Sequence, residues 1–326
     1  MSQEARLVAI SGALVLGLGI ATAVATAAPA ERHVAQAAAI SCEARSSGNN
    51  AAFYNGKSAS FVYDRMFSRG PMLPGLATHT PQGIATWHNW NGSGNDLLVV
   101  TSYRNGANAW LIGIDPSSGR HVGTVAIAPT HAGGIAITKG WAFVQGKNSP
   151  TGHTIRKYRL STLRTRMARA GTPYFKQTGT ARKVYGASFI ASYGDNLYAG
   201  RFNQRGRDRM YRYKVANNGA LATQPGAYEV PMKAQGLLVT ANRFIYSTSF
   251  GNDNRSNIYV MNGGARDIDN ASTRCFRAPS MTEGITEHRG TAYLVYESGA
   301  AQYVAKDPRN LIRRMHKANL ATLAAY

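Results

Sequence analysis

Residues 79–127 read HTPQGIATWHNWNGSGNDLLVVTSYRNGANAWLIGIDPSSGRHVGTVAI, and their plan recurs four more times downstream. A small or polar residue precedes a glycine and a short apolar run, Gln82-Gly83-Ile84-Ala85. A stronger apolar run follows at Leu97 to Val100 and ends in the polar tip Tyr103-Arg104-Asn105. Two more strand-like runs, Ala109 to Ile114 and His121 to Ile127, flank the turn Asp115-Pro116-Ser117-Ser118-Gly119. The alternation of apolar and polar residues in runs of this length, punctuated by Gly, Pro, Asn and Asp, predicts four strands.

The opening glycine of the unit, Gly83, aligns with Gly134, Gly186, Gly236 and Gly284, at offsets of 51, 52, 50 and 48 residues. Four strands per period with no long helical pattern is the sequence sign of a β-propeller. The fold class expected is all-β, a five-bladed β-propeller of four-stranded blades. A sandwich of evenly spaced strands is the competing reading, but a sandwich has no need to restart every four strands with the same small-residue opening.

The fifth copy has strand-like runs at Gly284 to His288, Thr291 to Glu297 and Ala301 to Lys306. It then turns helical: Asp307-Pro308 suits a helix start, and Leu311, Ile312, Met315 and Leu320 give one apolar side. The missing outer strand is expected from the N-terminal side, where Ser60 to Met66 alternates, so that an N-terminal strand closes the ring and a short C-terminal helix packs outside. Ser161 to Gly171 is expected to form a short helix capped by Ser161 or Thr162, with Leu163 and Met167 on one side.

The domain organisation expected is a signal peptide at 1–30, a tether at 31–59 and a single propeller domain at 60–326. Arg6 precedes an apolar run from Leu7 to Ala28, and Ala25-Thr26-Ala27 offers a small-x-small cleavage site, although a retained anchor is the alternative. Export to the extracellular side, with no membrane span after cleavage, fits the cysteine count. Cys42 and Cys275 are the only two, and in an oxidising compartment the simplest outcome is one disulfide, with two buried thiols as the alternative. Closing so long a loop has a nominal chain-entropy effect of roughly 5 kcal/mol.

Charge is the loudest chemical signal. The chain carries 37 basic and 16 acidic residues, a net charge of +21. Between Asp115 and Asp195 there is no acid, yet Arg156, Lys157, Arg159, Arg164, Arg166, Arg169, Arg182 and Lys183 all fall there. Such a field attracts polyanions. For an exported monomer the partners expected are an anionic cell-wall polymer, a polysaccharide or an extracellular protein. Specific nucleic-acid binding is not expected, because no nucleic-acid-binding motif is present and charge alone yields salt-sensitive, nonspecific affinity.

Propeller geometry turns the repeat alignment into a site. The start of each first strand and the tip of each second strand share one mouth of the central channel. The ligand-binding residues expected there are His79, Gln82, Tyr103, Arg104, His131, Lys183, Tyr185, Arg201, Lys233, Gln235, Glu283 and Tyr296. That mixture suits a sugar or an anion, with aromatic faces for stacking and Arg, Asn and Gln for oriented hydrogen bonds. Arg104, Arg201 and Lys233 are expected to matter more for affinity at physiological salt than the helix pair Arg164 and Arg166, whose exposed charge is screened.

A binding protein without catalysis is the first functional reading, with no cofactor and no metal. The alternative is a hydrolase or lyase acting on a polysaccharide at the same mouth. Glycoside hydrolysis needs two carboxyls at about 5 to 9.5 Å. Glu283 and Glu287 are four residues apart on one strand, about 13 Å, whereas Glu283 and Glu297 could meet across adjacent strands. A close acid pair in the channel is therefore the feature that favours an enzyme. The strings HTPQGIATW, HAGGIAI and NLYAGRFN resemble secreted β-propeller proteins of soil bacteria, and Pro81-Gln82-Gly83-Ile84 resembles the repeat starts of gluconolactonase-like propellers. This resemblance covers about Ala77 to Lys306 and implies the architecture; the metal-binding acids of the lactonase group have no clear counterparts here.

Overall fold

A computed structural model describes residues 40–326 apart from residues 47, 49, 150 and 151. The expected signal peptide and residues 31–39 of the expected tether lie outside the described residues. Where the described chain begins, Glu43 runs parallel to Phe276: its backbone N–H donates to Cys275 O (2.9 Å) and its carbonyl accepts from Arg277 N (2.8 Å). Helix α1 (Phe61–Met66) and strand β1 (Phe67–Met72) follow. The four-stranded sheets then come in order around a ring. Blade one is β2 (Thr80–Trp87), β3 (Leu97–Tyr103), β4 (Ala109–Ile114) and β5 (His121–Ile127). Blade two is β6 (Ile135–Thr138), β7 (Trp141–Ser149) and β8 (Gly152–Arg159), then helix α2 (Leu160–Met167) and β9 (Arg182–Val184). Blade three is β10 (Phe189–Tyr193), β11 (Asn196–Gly200), β12 (Asp208–Val215) and β13 (Leu221–Val230). Blade four is β14 (Ala234–Val239), β15 (Arg243–Thr248), β16 (Ser256–Asn262) and β17 (Thr273–Ala278). Blade five takes β18 (Thr282–His288), β19 (Thr291–Tyr296), the single-turn helix α3 (Ala301–Val304) and β20 (Arg314–Asn319), before helix α4 (Leu320–Ala325) ends the chain. The protein is a five-bladed propeller of antiparallel four-stranded blades.

Ring closure is supplied by the N-terminus. Blade five is ordered β1-β20-β19-β18, with Phe67 opposite Ala318 and Met72 opposite Arg314. Two boundaries differ from the sequence expectation. Ser60 to Met66 is not the strand: Ser60 Oγ accepts from Tyr63 N, caps α1 and starts a helix, and the strand begins at Phe67. The third strand of blade five is Arg314–Asn319 rather than Ala301 to Lys306. The apolar spacing of Leu311, Ile312 and Met315, which suggests a helix, belongs to a loop entering a strand whose Met315, His316 and Ala318 are buried.

The disulfide forms, Cys42 to Cys275, with the Cα atoms 4.5 Å apart. It fastens the N-terminal segment to the outer strand of blade four, just before the chain crosses to blade five. Tyr63, Phe67 and Phe276 then share one core with residues from both blades. Tyr63 and Phe67 stack at 4.3 Å. The Tyr63 hydroxyl bonds Tyr296 and lies 2.6 Å from His316 Nδ1. Burial pushes the imidazole of His316 down to about 3, so it is neutral.

The repeat glycines have a physical reason. A Cβ on Gly83 would fall 3.0 Å from Ile135 N and 3.1 Å from the Cα of Gly134; one on Gly284 would fall 2.7 Å from Ile84 N and 2.8 Å from the Cα of Gly83. Neighbouring inner strands approach backbone to backbone at this level, and a side chain would hold them apart. Blade three departs from the pattern. Gly134 faces Phe189 and Ile190, so the position equivalent to the other repeat glycines is Phe189, three residues beyond Gly186. Its ring lies over Gly200, where a Cβ would sit 2.1 Å from Phe189 Cζ.

Helix α2 has no side-chain cap; its N-cap is Arg159. It buries Leu163 and Met167 as expected, and Met167 seats on blade one, where a Cβ on Gly123 would strike its carbonyl oxygen at 2.0 Å. No helix among the described residues is long and apolar enough to cross a membrane.

Candidate functional site

The glycine level divides the channel into two halves with different linings. Toward the ends of the inner strands, Ile84, Ile135, Ile190, Leu237 and Ile285 form an aliphatic ring, each at most 5% exposed. Beyond it opens a cavity of about 580 Å³ bordered by Trp87, His88, Lys139, Tyr193, Thr240 and Glu287. Hydroxyls at this level tie neighbouring blades: Ser192 Oγ donates to Ile137 O (3.1 Å), and Thr86 Oγ1 donates to Glu287 O.

Toward the starts of the inner strands the lining is polar. Glu283 enters from a bulge in β18, between the paired positions Thr282 and Ile285. Glu297 follows directly on β19. Pairing of Thr282 with Tyr296 puts Glu283 and Glu297 on adjacent strands, one on either side of that rung, and the charge of Glu297 acts on Glu283. Glu283 is 1% exposed and neither of its carboxylate oxygens has a protein partner. Glu297 accepts from Gln82 Nε2, and the Tyr303 hydroxyl bonds it as well. Burial, and then the charge of Glu297, hold the Glu283 carboxyl well above the ordinary carboxylate range. Burial raises Glu297 to about 7, against the pull of Gln82, Tyr303 and Lys306. Among 16 acidic residues in a chain of net charge +21, two stand unneutralised in the channel.

Helix α3 lies over this pair. Ala301 N donates to Leu76 O (2.8 Å), and Gln302 Nε2 donates to Thr80 Oγ1 and to the Tyr103 hydroxyl (3.2 Å). Tyr303 also bonds Tyr103. Tyr103 packs on His131, with ring centroids 4.2 Å apart. Nearby, Gln145 is fully buried; its Oε1 accepts from Gly133 N (2.7 Å) while its Nε2 has no partner.

The structure sorts the residues expected at the mouth into three groups. Gln82, Tyr103, His131 and Glu283 come together around the carboxyl pair. His79 is buried and structural: its ring stacks on Trp110 (3.4 Å) and its Nε2 is 3.1 Å from Asn108 O. Tyr296 is also structural, fully buried with its hydroxyl turned to Tyr63, away from the mouth. Lys183 lies on β9, the outer strand of blade two, because the glycine alignment of blade three ran three residues early. Tyr185 donates to Asp208 Oδ1 (2.7 Å), and Arg201 Nε is 3.7 Å from the same carboxylate. Arg104 is exposed at the mouth, Gln235 is half-buried on β14, and Lys233 sits over Phe250 (5.5 Å). Gln302 and Tyr303 escape a sequence reading, because Ala301 to Lys306 reads as a strand and holds the helix α3; Gln145 stands at the tip of the second strand of the second copy, where the repeat plan places it at the mouth.

A second acid with histidines beside it stands at Asp96. Asp96 Oδ2 accepts from His288 Nε2 (2.9 Å) and lies 3.5 Å from His88 Nδ1, but Arg289 Nε occupies the same oxygen at 3.0 Å. A guanidinium there disfavours a cation. Among the described residues no group of three or more His, Cys, Asp or Glu could hold a metal ion.

No protein-family model matches the chain, and no curated protein is significantly similar to it. Similar solved structures include a GH43_1 enzyme from Xanthomonas citri, 12% identical, with a TM-score of 0.43, covering 78% of this chain and 91% of that one. A computationally designed protein, Ika8, is 9% identical with a TM-score of 0.33 over 71% of this chain and 72% of its own. U3-55K is 6% identical with a TM-score of 0.38 over 78% of this chain and 99% of its own. At these identities and scores the likeness carries no functional information.

Proposed function

We propose that the protein is an exported hydrolase or lyase that acts on a polysaccharide at the polar mouth of the propeller. The observation that carries this reading is the buried pair Glu283 and Glu297. Two neighbouring carboxyls cannot both ionise cheaply in such a site, and their surroundings differ. Glu283, without any partner and held by burial and by the charge of Glu297 well above the ordinary carboxylate range, favours its protonated form and is the general acid. Glu297, oriented by Gln82 and Tyr303 and poised at about 7, is partly ionised there and is the base. A cationic rim with Arg104, Arg201 and Lys233 favours an anionic, uronate-bearing glycan. Substrate reaches the pair by displacing α3, a single turn held by a few hydrogen bonds.

A second reading, a binding protein that recognises the same glycan or an extracellular protein without turning anything over, is favoured by one observation: α3 covers the carboxyls. A panel of neutral and uronate-bearing polysaccharides separates the two, read by release of reducing ends for hydrolysis and by ultraviolet absorbance of unsaturated ends for elimination. Turnover of a uronate polymer, lost in Glu283→Gln and Glu297→Gln while both variants remain folded and still bind it, is the expected result. Saturable, salt-sensitive binding with no turnover anywhere in the panel would move the protein to the noncatalytic reading.

A further inference from the structure

On the same face as the polar mouth, but over blade four, the chain gathers cations that outnumber the acids beside them. A solvent-open cavity of about 820 Å³ lies between the N-terminal segment, the tips of blade four and the loop that follows α3. Arg255 comes from the loop before β16, Arg277 from the end of β17, Arg309 from the blade five loop and Lys233 from the start of blade four. Asp253 is the one acidic residue among those lining it.

We propose that this cavity is a binding site for a phosphate or sulfate group. Two of the guanidiniums and the backbone that carries the third are held by protein contacts. Arg255 Nη1 donates to Ala44 O (3.3 Å), Arg277 Nη1 donates to Asn257 Oδ1 (2.9 Å), and the backbone N–H of Arg309 donates to Asn252 O (3.1 Å). The Nε of Arg309, a residue lining the cavity, is buried without a hydrogen-bond partner. Desolvation, then the charges of Arg309 and Arg277, lower the proton affinity of Arg255. Like charges held this close repel one another in the free protein. A tetrahedral oxyanion relieves that repulsion and accepts from several guanidinium forks at once, which a single carboxylate does less completely. One wall of the cavity is Cys42, so the disulfide holds the segment whose Ala44 carbonyl orients Arg255.

The site is separate from the carboxyl pair and does not depend on the enzymatic reading. Calorimetric titration with inorganic phosphate, and separately with sulfate, at fixed ionic strength in chloride tests it. The result expected is saturable binding of about one ion per chain, weakened tenfold or more in Arg255→Gln and in Arg309→Gln. Affinity should be unchanged in Glu283→Gln and in the flank variant Arg164→Ala plus Arg166→Ala. Should an arginine variant fail to fold, Lys233→Gln takes its place, with loss of the phosphate-induced rise in Tm as the readout. A sulfated disaccharide that binds more tightly than sulfate assigns the group to an ester on a glycan, whereas equal affinity assigns it to the free ion. Absence of saturable binding above chloride, or an equal loss in the flank variant, overturns the proposal by reducing the effect to net charge.

Discussion

The two halves of the central channel are built by the same five inner strands, yet they differ in nearly every property. The half toward the strand ends is an aliphatic ring with hydroxyl clips between blades. The hydroxyls of Ser192 and Thr86 find backbone acceptors on the neighbouring inner strands. The half toward the strand starts contains two buried carboxyls, an unpartnered glutamine amide and a helix laid across them. Packing needs only the first kind of lining. The second kind is destabilising unless it serves a purpose, because a partnerless buried carboxyl carries its full desolvation penalty. One half is built for packing and the other holds the groups on which the proposed chemistry rests, and the glycine level is the border between them.

The border itself is where the comparison breaks most severely. In Gly284→Val the new Cβ meets backbone on the neighbouring inner strand, which cannot move aside as a side chain would. A loss of about 3 kcal/mol or more is expected in denaturant unfolding, and a change under 1 kcal/mol would mean that the strands are not in contact there.

Next in size is the pH dependence of the polar half. Glu297 stands at about 7 in the folded chain against an ordinary 4.5, so between these values the unfolded chain releases a proton that the folded chain retains. Stability therefore falls as pH rises through that window, by about 3 kcal/mol at 1.36 kcal/mol per pH unit, and Glu283, raised in the same direction, adds to the loss. His316 has the opposite sign: held near 3 rather than 6.5, it removes stability as pH falls below 6.5. Glu283→Gln should flatten the alkaline limb of the Tm profile and leave the acid limb in place. An unchanged alkaline limb would show that the carboxyls are not coupled to folding. The smallest effect belongs to the apolar half, where Ser192→Ala removes one inter-blade hydrogen bond. About 1 kcal/mol is expected, independent of pH from 5 to 9; a pH-dependent loss would mean that the two halves communicate.

Much of the polar half was within reach of the sequence. Gln82, Tyr103, His131 and Glu283 are placed by counting strands from each repeat start, and Glu283 with Glu297 is the one carboxyl pairing that adjacent strands permit. The misplaced residues fail for definite reasons. Lys183 was assigned to the mouth because Gly186 was taken as a repeat start, although the inner strand of blade three uses a phenylalanine there and compensates with Gly200. His79 and Tyr296 were placed on the correct strands, but partners from elsewhere, Trp110 and Tyr63, turn them into the core.

The sequence by itself determined the number of blades, the order of strands within them and the use of both termini in the last one, because these follow from local periodicity repeated along the chain. It also pointed to the bond between Cys42 and Cys275, since no other cysteine exists. The tertiary structure alone decided that α3 lies across the carboxyl pair and that Arg255, Arg277 and Arg309 converge. Each depends on residues from different blades meeting in space, where burial and mutual charge act over distances that leave no periodic trace in the chain.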